Sequence, residues 1–157
     1  MNILFVCTGN ISRSFLAEMM LKHELKKNNV SGIQVASAGT RAFPETPADR
    51  EMVNFLLDKN IPAANHGSKL LTYDDIKWAD IILVMENSHY DFIIESWPEA
   101  NGKVQKLGKY IALDRTEDDI PDPYGKSSYH YRAAQSQISL AVSNIFKIIS
   151  SGTALNA

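Results

Sequence analysis

The apolar run Ile3-Leu4-Phe5-Val6 passes without a spacer into Cys7-Thr8-Gly9-Asn10-Ile11-Ser12-Arg13-Ser14. A short run of large aliphatic and aromatic residues bounded by turn formers reads as a strand buried on both faces. From Ser14 to about Lys27, Leu16, Met20, Leu21 and Leu25 share one face with charges opposite, the pattern of an amphipathic helix. Strand, tight loop and helix open an α/β unit. The loop between them carries backbone N–H groups with no helical partner, at the positive end of the helix dipole, which is a place for an anion. Cys7 and Arg13 enclose five residues. A closed loop of that length sets one thiol beneath a bound oxyanion and one guanidinium beside it, a spacing suited to phosphate monoesters.

The remaining chain repeats the strand-helix alternation. Ile33-Gln34-Val35-Ala36 reads as a second strand, ended by Ser37-Ala38-Gly39-Thr40. At Thr46-Pro47-Ala48-Asp49 a helix is expected to start, with Thr46 as cap, Pro47 in the first turn and Asp49 complementing the dipole; Met52, Phe55 and Leu56 supply its buried face. A second capped start at Thr72-Tyr73-Asp74-Asp75 leads into Ile81-Ile82-Leu83-Val84-Met85, the most continuous apolar run and hence a central parallel strand. A helix from about Ser88 is stopped by Pro98, and Val104-Gln105-Lys106-Leu107 reads as a weaker, peripheral strand. The clearest periodicity runs from Ser128 to Ser150, where Ala134, Ile138, Ala141, Val142, Ile145, Ile148 and Ile149 form one stripe. The expected fold is therefore α/β, a single domain with a parallel sheet covered by helices on both faces. Such sheets bind ligands beyond the carboxyl ends of their strands, where Cys7 stands.

Composition narrows the function. With 16 basic and 18 acidic residues and a net charge of -2, the chain offers no electrostatic footprint for nucleic acid or an anionic membrane. No basic leader precedes the first strand and no apolar run is long enough to span a bilayer, so a cytoplasmic protein without membrane insertion is expected. One cysteine cannot form an internal disulfide, and His23, His66, His89 and His130 show no metal-ligand spacing, so no metal is expected.

A lone cysteine is ordinarily a small buried hydrophobe. The neighbours of Cys7 argue otherwise: Gly9 permits a positive φ, Asn10 tolerates the left-handed region and can brace the loop, and Arg13 offers a planar fork for phosphate oxygens. A helix terminus beside a cation favours the thiolate, and the Ser14 hydroxyl can stabilise it further. Attack on an aryl phosphate also needs a proton for the departing oxygen. In Ile120-Pro121-Asp122-Pro123-Tyr124-Gly125, Asp122 stands between two prolines that keep it out of a helix. Read alone, Asp122 would begin a turn beside the solvated run Glu117-Asp118-Asp119; read with Cys7 and Arg13, it is the candidate general acid, and acidic neighbours would help to keep it protonated.

Together these residues resemble the low-molecular-weight protein tyrosine phosphatases. Cys7 to Ser14 is similar to that family's Cys-x5-Arg-Ser signature and Asp122-Pro123-Tyr124 to its Asp-Pro-Tyr loop, and the likeness extends over Ser37 to Thr40, His66 with Leu70-Leu71-Thr72, and Asp80 to Glu86. The resemblance implies one domain over residues 1–157 with a four-stranded parallel sheet, a three-layer sandwich and no cofactor. It implies a phosphocysteine on Cys7, Arg13 holding the phosphoryl oxygens, and Asp122 as general acid and then base. Thr8, Gly9, Asn10, Ile11, Ser12 and Ser14 would bind the phosphate, with Ile11, Tyr124 and Phe43 as walls around a phenyl ring; Asn10, Ser14, Ser37 and His66 would form the network that shapes the loop. The implied partner is a phosphotyrosine-containing protein, and Thr40 to Asp49 and His66 to Thr72 look most like bacterial members paired with tyrosine autokinases in capsule or exopolysaccharide control. Where many relatives have a second cysteine, this chain has Ser12, which removes an internal route to a reversible disulfide. Two other classes compete with this reading. Arsenate reductases share the scaffold but relay a disulfide through further cysteines, absent here. A phosphocarrier or phosphate-binding module accounts for Cys7 but not for Arg13 and Asp122 together.

Overall fold

The computed structural model describes residues 1–63, 65–111 and 118–155. Its axis is β1 (Asn2–Cys7), buried from Ile3 onward. Alternation sends Ile3, Phe5 and Cys7 into one layer and Leu4 and Val6 into the other. After β1 come α1 (Arg13–Lys27), β2 (Gln34–Gly39), α2 (Arg50–Asp58), α3 (Tyr73–Trp78), β3 (Ile81–Val84), α4 (Asn87–Ser96), β4 (Val104–Lys106) and α5 (Ser128–Ser150). The four strands are parallel in the order β2-β1-β3-β4. The chain leaves β1 for β2 on one side and returns to β3 on the other, so the switch point of the sheet lies at the carboxyl end of β1.

Both faces are covered, as the sequence suggests. Phe15, Leu16 and Leu21 of α1, Met52 and Leu56 of α2, and Ala134, Ile138, Ala141, Val142 and Ile145 of α5 close over Ile3 and Phe5. Ile76 of α3 and Ile93 of α4 close over Leu4 and Val6. Truncating a core side chain of this size costs roughly 3–5 kcal/mol, which is why the stripe of α5 reads so clearly in the sequence.

Two expected boundaries are corrected. β2 does not stop before Ser37 but runs to Gly39, because Ser37, Ala38 and Gly39 continue the ladder opposite Phe5, Val6 and Cys7. The helix expected at Thr46 starts at Arg50, capped by Asp49, whose Oδ1 accepts the Glu51 N–H at 3.1 Å. Pro47 instead forms an antiparallel bridge with Gly67, and the Thr46 N–H donates to Ser68 Oγ at 2.9 Å. These long-range bonds outbid the local helix signal. They also deliver the Asp49 N–H to the Ile11 carbonyl at 2.8 Å, which braces the loop after β1. The capping box at Thr72 and Asp75 is formed as expected. Residues 114–117 of the acidic stretch lie outside the described residues. Among the described residues, no helix is long and apolar enough to cross a membrane.

Gly39 is the tightest joint between sheet and loop. A Cβ there would meet the Thr8 carbonyl oxygen at 2.5 Å and the Asn10 nitrogen at 2.9 Å. Both are backbone atoms that cannot swing aside. Gly39→Ala is therefore expected to lower the melting temperature by at least about 5 °C and to weaken inorganic phosphate binding. Thermal unfolding with a phosphate titration checks this; an unchanged protein would mean that the close approach is not needed.

Candidate active site

The loop between β1 and α1 is held from outside by its carbonyls. Those of Cys7 and Thr8 accept N–H groups of Thr40 and Arg41, that of Ile11 accepts Asp49, and that of Ser12 accepts Leu16 in the first turn of α1. The Asn10 carbonyl accepts from His66 Nε2 at 2.6 Å, and the His66 ring rests on Phe15 with centroids 4.7 Å apart. With the carbonyls engaged outward, the N–H groups of Gly9, Ile11, Ser12 and Arg13 have no acceptor among the described residues. Ser12 stands at the N-cap of α1 without making a side-chain cap, and its buried hydroxyl has no hydrogen-bond partner.

Asn10 shapes the loop. Of the two residues suited to a positive φ, Asn10 takes it, at 55°, whereas Gly9 keeps to the ordinary region. Its carboxamide orientation is fixed by chemistry: Oδ1 accepts the Lys69 backbone N–H at 2.8 Å, a group that can only donate. Nδ2 then donates to Ser14 Oγ at 2.9 Å and Ser37 Oγ at 2.8 Å. Ser37 passes its own hydrogen to Glu18 Oε2, and Glu18 is paired with Lys22 at 2.5 Å. Since Ser14 Oγ accepts from Asn10, its hydrogen is left for Cys7 Sγ, 2.9 Å away, and the Asn10 N–H adds a second donor to the sulfur at 3.3 Å. Two donors converging on one sulfur suit a thiolate.

Arg13 is 1% exposed, yet it remains a cation. Nη1 donates to Glu86 Oε2 at 2.7 Å and to the Ile120 carbonyl at 2.8 Å, and Nη2 lies 3.4 Å from Asp122 Oδ2. Its Nε–H is buried without a partner. Asp122 Oδ1 accepts the Tyr124 N–H at 3.1 Å, forming an Asx turn. The charged partner of Asp122 is thus Arg13, and Asp119 accepts from the Asn87 N–H and lies 3.2 Å from Lys106 Nζ.

A cavity of about 200 Å³ is lined by Cys7, Thr8, Gly9, Ile11, Ser12, Arg13, Asp122 and Tyr124. The structure therefore brings together the thiol, the guanidinium and the distant carboxylate. Three residues expected against the substrate are not in this lining, two of which, Asn10 and Ser14, were also expected in the network that shapes the loop. Asn10 and Ser14 are fully buried behind the loop and support it rather than line the cavity. Phe43 is 81% exposed and not part of the lining, because its carbonyl is tied to the Thr46 and Ser68 hydroxyls and its ring stands out from that turn. Ser37 Oγ accepts from Asn10 Nδ2 and His66 Nε2 donates to the Asn10 carbonyl.

Four residues escaped sequence reasoning. Glu18 lies at i+4 from Ser14 and i−4 from Lys22, a carboxylate on an otherwise apolar face, which was a readable signal. Gly39, Glu86 and His89 act across the sheet and leave no local trace. His89 is 2% exposed; Nδ1 accepts the Glu86 N–H at 3.1 Å, so the proton is on Nε2, which donates to Thr8 Oγ1 at 2.8 Å. Burial first, then the Arg13 cation, lower its pKa to about 4, against the opposing pull of Glu86, Asp119 and Asp122.

A strand–loop–helix cradle with free donors around a thiol is the arrangement of a cysteine-dependent phosphatase. The chain belongs to the low molecular weight phosphotyrosine protein phosphatase family, whose model matches residues 2–154. It is 33% identical to the low molecular weight protein-tyrosine-phosphatase Etp of Escherichia coli K12, over 80% of this chain and 79% of that one. Among solved structures it resembles a Cys-to-Ser mutant of the YwlE arginine phosphatase with a phosphorylated active-site serine, at TM-score 0.87 and 31% identity over 96% of each chain. It also resembles Vibrio vulnificus Wzb in complex with benzylphosphonate, at TM-score 0.82 and 33% identity, covering 93% of this chain and 97% of that one.

The His89 geometry carries a testable consequence. Its folded pKa of about 4 lies below the unfolded value of 6.5, so its contribution to stability is present above pH 6.5 and lost as pH falls toward 4. The loss is on the order of 3 kcal/mol. Imidazole nitrogen NMR shifts should report the Nε2–H tautomer down to about pH 4, and His89→Gln should flatten the acid limb of the stability curve. Titration of His89 near 6.5 would contradict the geometry.

Proposed function

We propose that the protein hydrolyses phosphotyrosine in proteins through a phosphocysteine on Cys7. The observation that carries this reading is the meeting of Cys7, Arg13 and Asp122 at one cavity, with the Nε–H of Arg13 left without a protein partner among the described residues. In the first step the Cys7 thiolate attacks phosphorus opposite the aryl ester oxygen. An S–P bond forms, the P–O bond to the ring breaks, and Asp122 gives its proton to the departing phenolic oxygen. Arg13 Nε–H and the free loop N–H groups take the non-bridging oxygens, whose charge is spread in the transition state. In the second step a water attacks phosphorus, the Asp122 carboxylate takes its proton, and the S–P bond breaks to release inorganic phosphate and the thiolate. Asp122 is 44% exposed in its side chain, which lets it exchange protons with solvent between turnovers. A neutral Ser12 in place of a second thiol leaves this cycle intact and removes only the internal disulfide.

The aryl preference rests on Ile11 and Tyr124, which flank the cavity mouth beside Asp122. An apolar and an aromatic wall favour a phenyl ring, whereas the guanidinium of phosphoarginine would place polar N–H groups against Ile11 without partners. The reading extends to the partner and compartment: a reduced thiolate nucleophile suits the cytoplasm, and a bacterial tyrosine autokinase is the class of phosphoprotein with which the resembled subfamily is paired.

Two outcomes are expected. Asp122→Asn should lose about 10²–10⁴-fold in kcat with phenyl phosphate and distinctly less with p-nitrophenyl phosphate, whose leaving group needs the proton less. Equal losses across a leaving-group series would remove Asp122 from the acid role. Matched peptides should show kcat/KM at least tenfold higher for phosphotyrosine than for phosphoarginine; the reverse order would overturn the substrate reading.

A further inference from the structure

The pair formed by the buried His89 and the half-buried Thr8 is unused by the steps above. His89 sits in the first turn of α4, three residues after Glu86, so one short segment grips the site twice. Glu86 holds Arg13 through its carboxylate, and His89 holds Thr8 through its ring. Nδ1 is occupied by a backbone N–H, a group that cannot accept, so Nε2 carries the hydrogen and Thr8 Oγ1 is the acceptor. The hydroxyl hydrogen of Thr8 then has no protein acceptor among the described residues, and Thr8 lines the cavity between Cys7 and Arg13.

We propose that His89 is a positioning residue for the phosphatase reaction: fixed as the Nε2–H tautomer, it holds the Thr8 oxygen so that the Thr8 hydroxyl hydrogen is donated to an oxygen of the phosphoryl group in the cavity. Thr8 thereby adds a side-chain donor to those of Arg13 and the loop. Without His89 the hydroxyl rotates freely, and part of its time is spent with the lone pairs, rather than the hydrogen, toward the anion. The burial of the ring next to a cation keeps it from taking the second proton that would oppose the Glu86 N–H. This inference rests on the phosphatase reading for its kinetic consequence, but its binding consequence does not, because inorganic phosphate is the same oxyanion whether or not an ester is turned over.

The test is a double-mutant cycle on the full chain with Thr8→Val, Thr8→Ser, His89→Phe, His89→Gln and the His89→Phe/Thr8→Val double variant. Two quantities are read: kcat/KM with p-nitrophenyl phosphate, and the Kd of inorganic phosphate by NMR titration. A hydrogen bond to a charged oxygen is worth a factor of about 10–100. Thr8→Val and His89→Phe should each lose about tenfold or more, Thr8→Ser and His89→Gln should retain activity to within about threefold, and the double variant should be no worse than the poorer single one. Losses that multiply in the double variant would overturn the proposal, since they would make His89 a separate structural support. So would full activity and phosphate affinity in Thr8→Val. Should His89→Phe fail to fold, Thr8→Val against Thr8→Ser, together with His89→Gln, still decides. Should the wild type bind phosphate but turn over no ester, the phosphatase reading fails while the phosphate Kd values continue to judge the Thr8 donor.

Discussion

The Asn10 carboxamide is the interaction on which the rest of the site depends. It is fully buried, held at a φ of 55°, and spends all three of its polar contacts on different parts of the fold: the Lys69 N–H, Ser37 at the end of β2 and Ser14 at the start of α1. Each such bond contributes only about 1 kcal/mol net, but removing the amide would take the acceptor from the part-buried Lys69 N–H and a donor from each of the Ser14 and Ser37 hydroxyls at once. That asymmetry fixes the loop. The same chain of bonds runs outward through Ser37 and Glu18 to Lys22 near solvent, so the orientation of the Ser14 hydrogen toward Cys7 is set by a carboxylate in the middle of α1. A polar network inside an apolar layer is stable only when every member is satisfied, and here each member of this run is.

Gln105 Nε2 on β4 apart, the buried side-chain donors without a partner among the described residues belong to Ser12 and Arg13. Arg13 Nε–H, the hydroxyl of Ser12 and the N–H groups of the loop all surround the cavity above Cys7. A buried guanidinium is costly, and Glu86 with the Ile120 carbonyl offsets the cost on one edge of its fork. On the other edge Nη2 lies 3.4 Å from Asp122 Oδ2 and Nε–H alone is without a partner. An oxyanion would complete all of these groups at once, without any of them moving, which is the condition under which electrostatic stabilisation is strongest. The local rules of hydrogen-bond satisfaction are obeyed behind the loop and broken in front of it.

How much of this was legible follows from the range of each interaction. The run Ile3 to Val6, the loop Cys7 to Ser14 and the helix after it are contiguous, and their pattern alone placed an anion site at a strand end. The stripe of α5 was equally plain because a 3.6-residue period survives any tertiary context. Thr46-Pro47 was misread because a cap is a local signal, while the bond from its N–H to Ser68 and the Pro47–Gly67 bridge are set by a segment twenty residues away. Phe43 was expected in the wall on residue type, but its direction is decided by what holds its carbonyl. Glu86 and His89 stand just after the most apolar strand, around the helix start expected at about Ser88, with no local pattern that ties them to Cys7. Their meaning came only from the sheet order, which sets the end of β3 beside the end of β1.

The position of Asp122 shows the same division. The flanking prolines keep it out of a helix, yet they do not bring it to Arg13. That is done by the residues before it: the Ile120 N–H donates to the Met85 carbonyl, the Ile120 carbonyl accepts from Arg13, and Asp119 ties the segment to the start of α4 and to Lys106. Beneath them Gly108 leaves room for the Asp118 carbonyl, which any Cβ would overlap. The anchor is therefore built from β3, α4 and the turn after β4, and it ends just before Asp122, whose own carboxylate is half exposed and held only by its Asx turn and the Arg13 pair. The proton donor and acceptor role proposed for Asp122 needs a fixed address and a free head. The rigid segment to Ile120 supplies the first, and the short turn at Asp122 supplies the second.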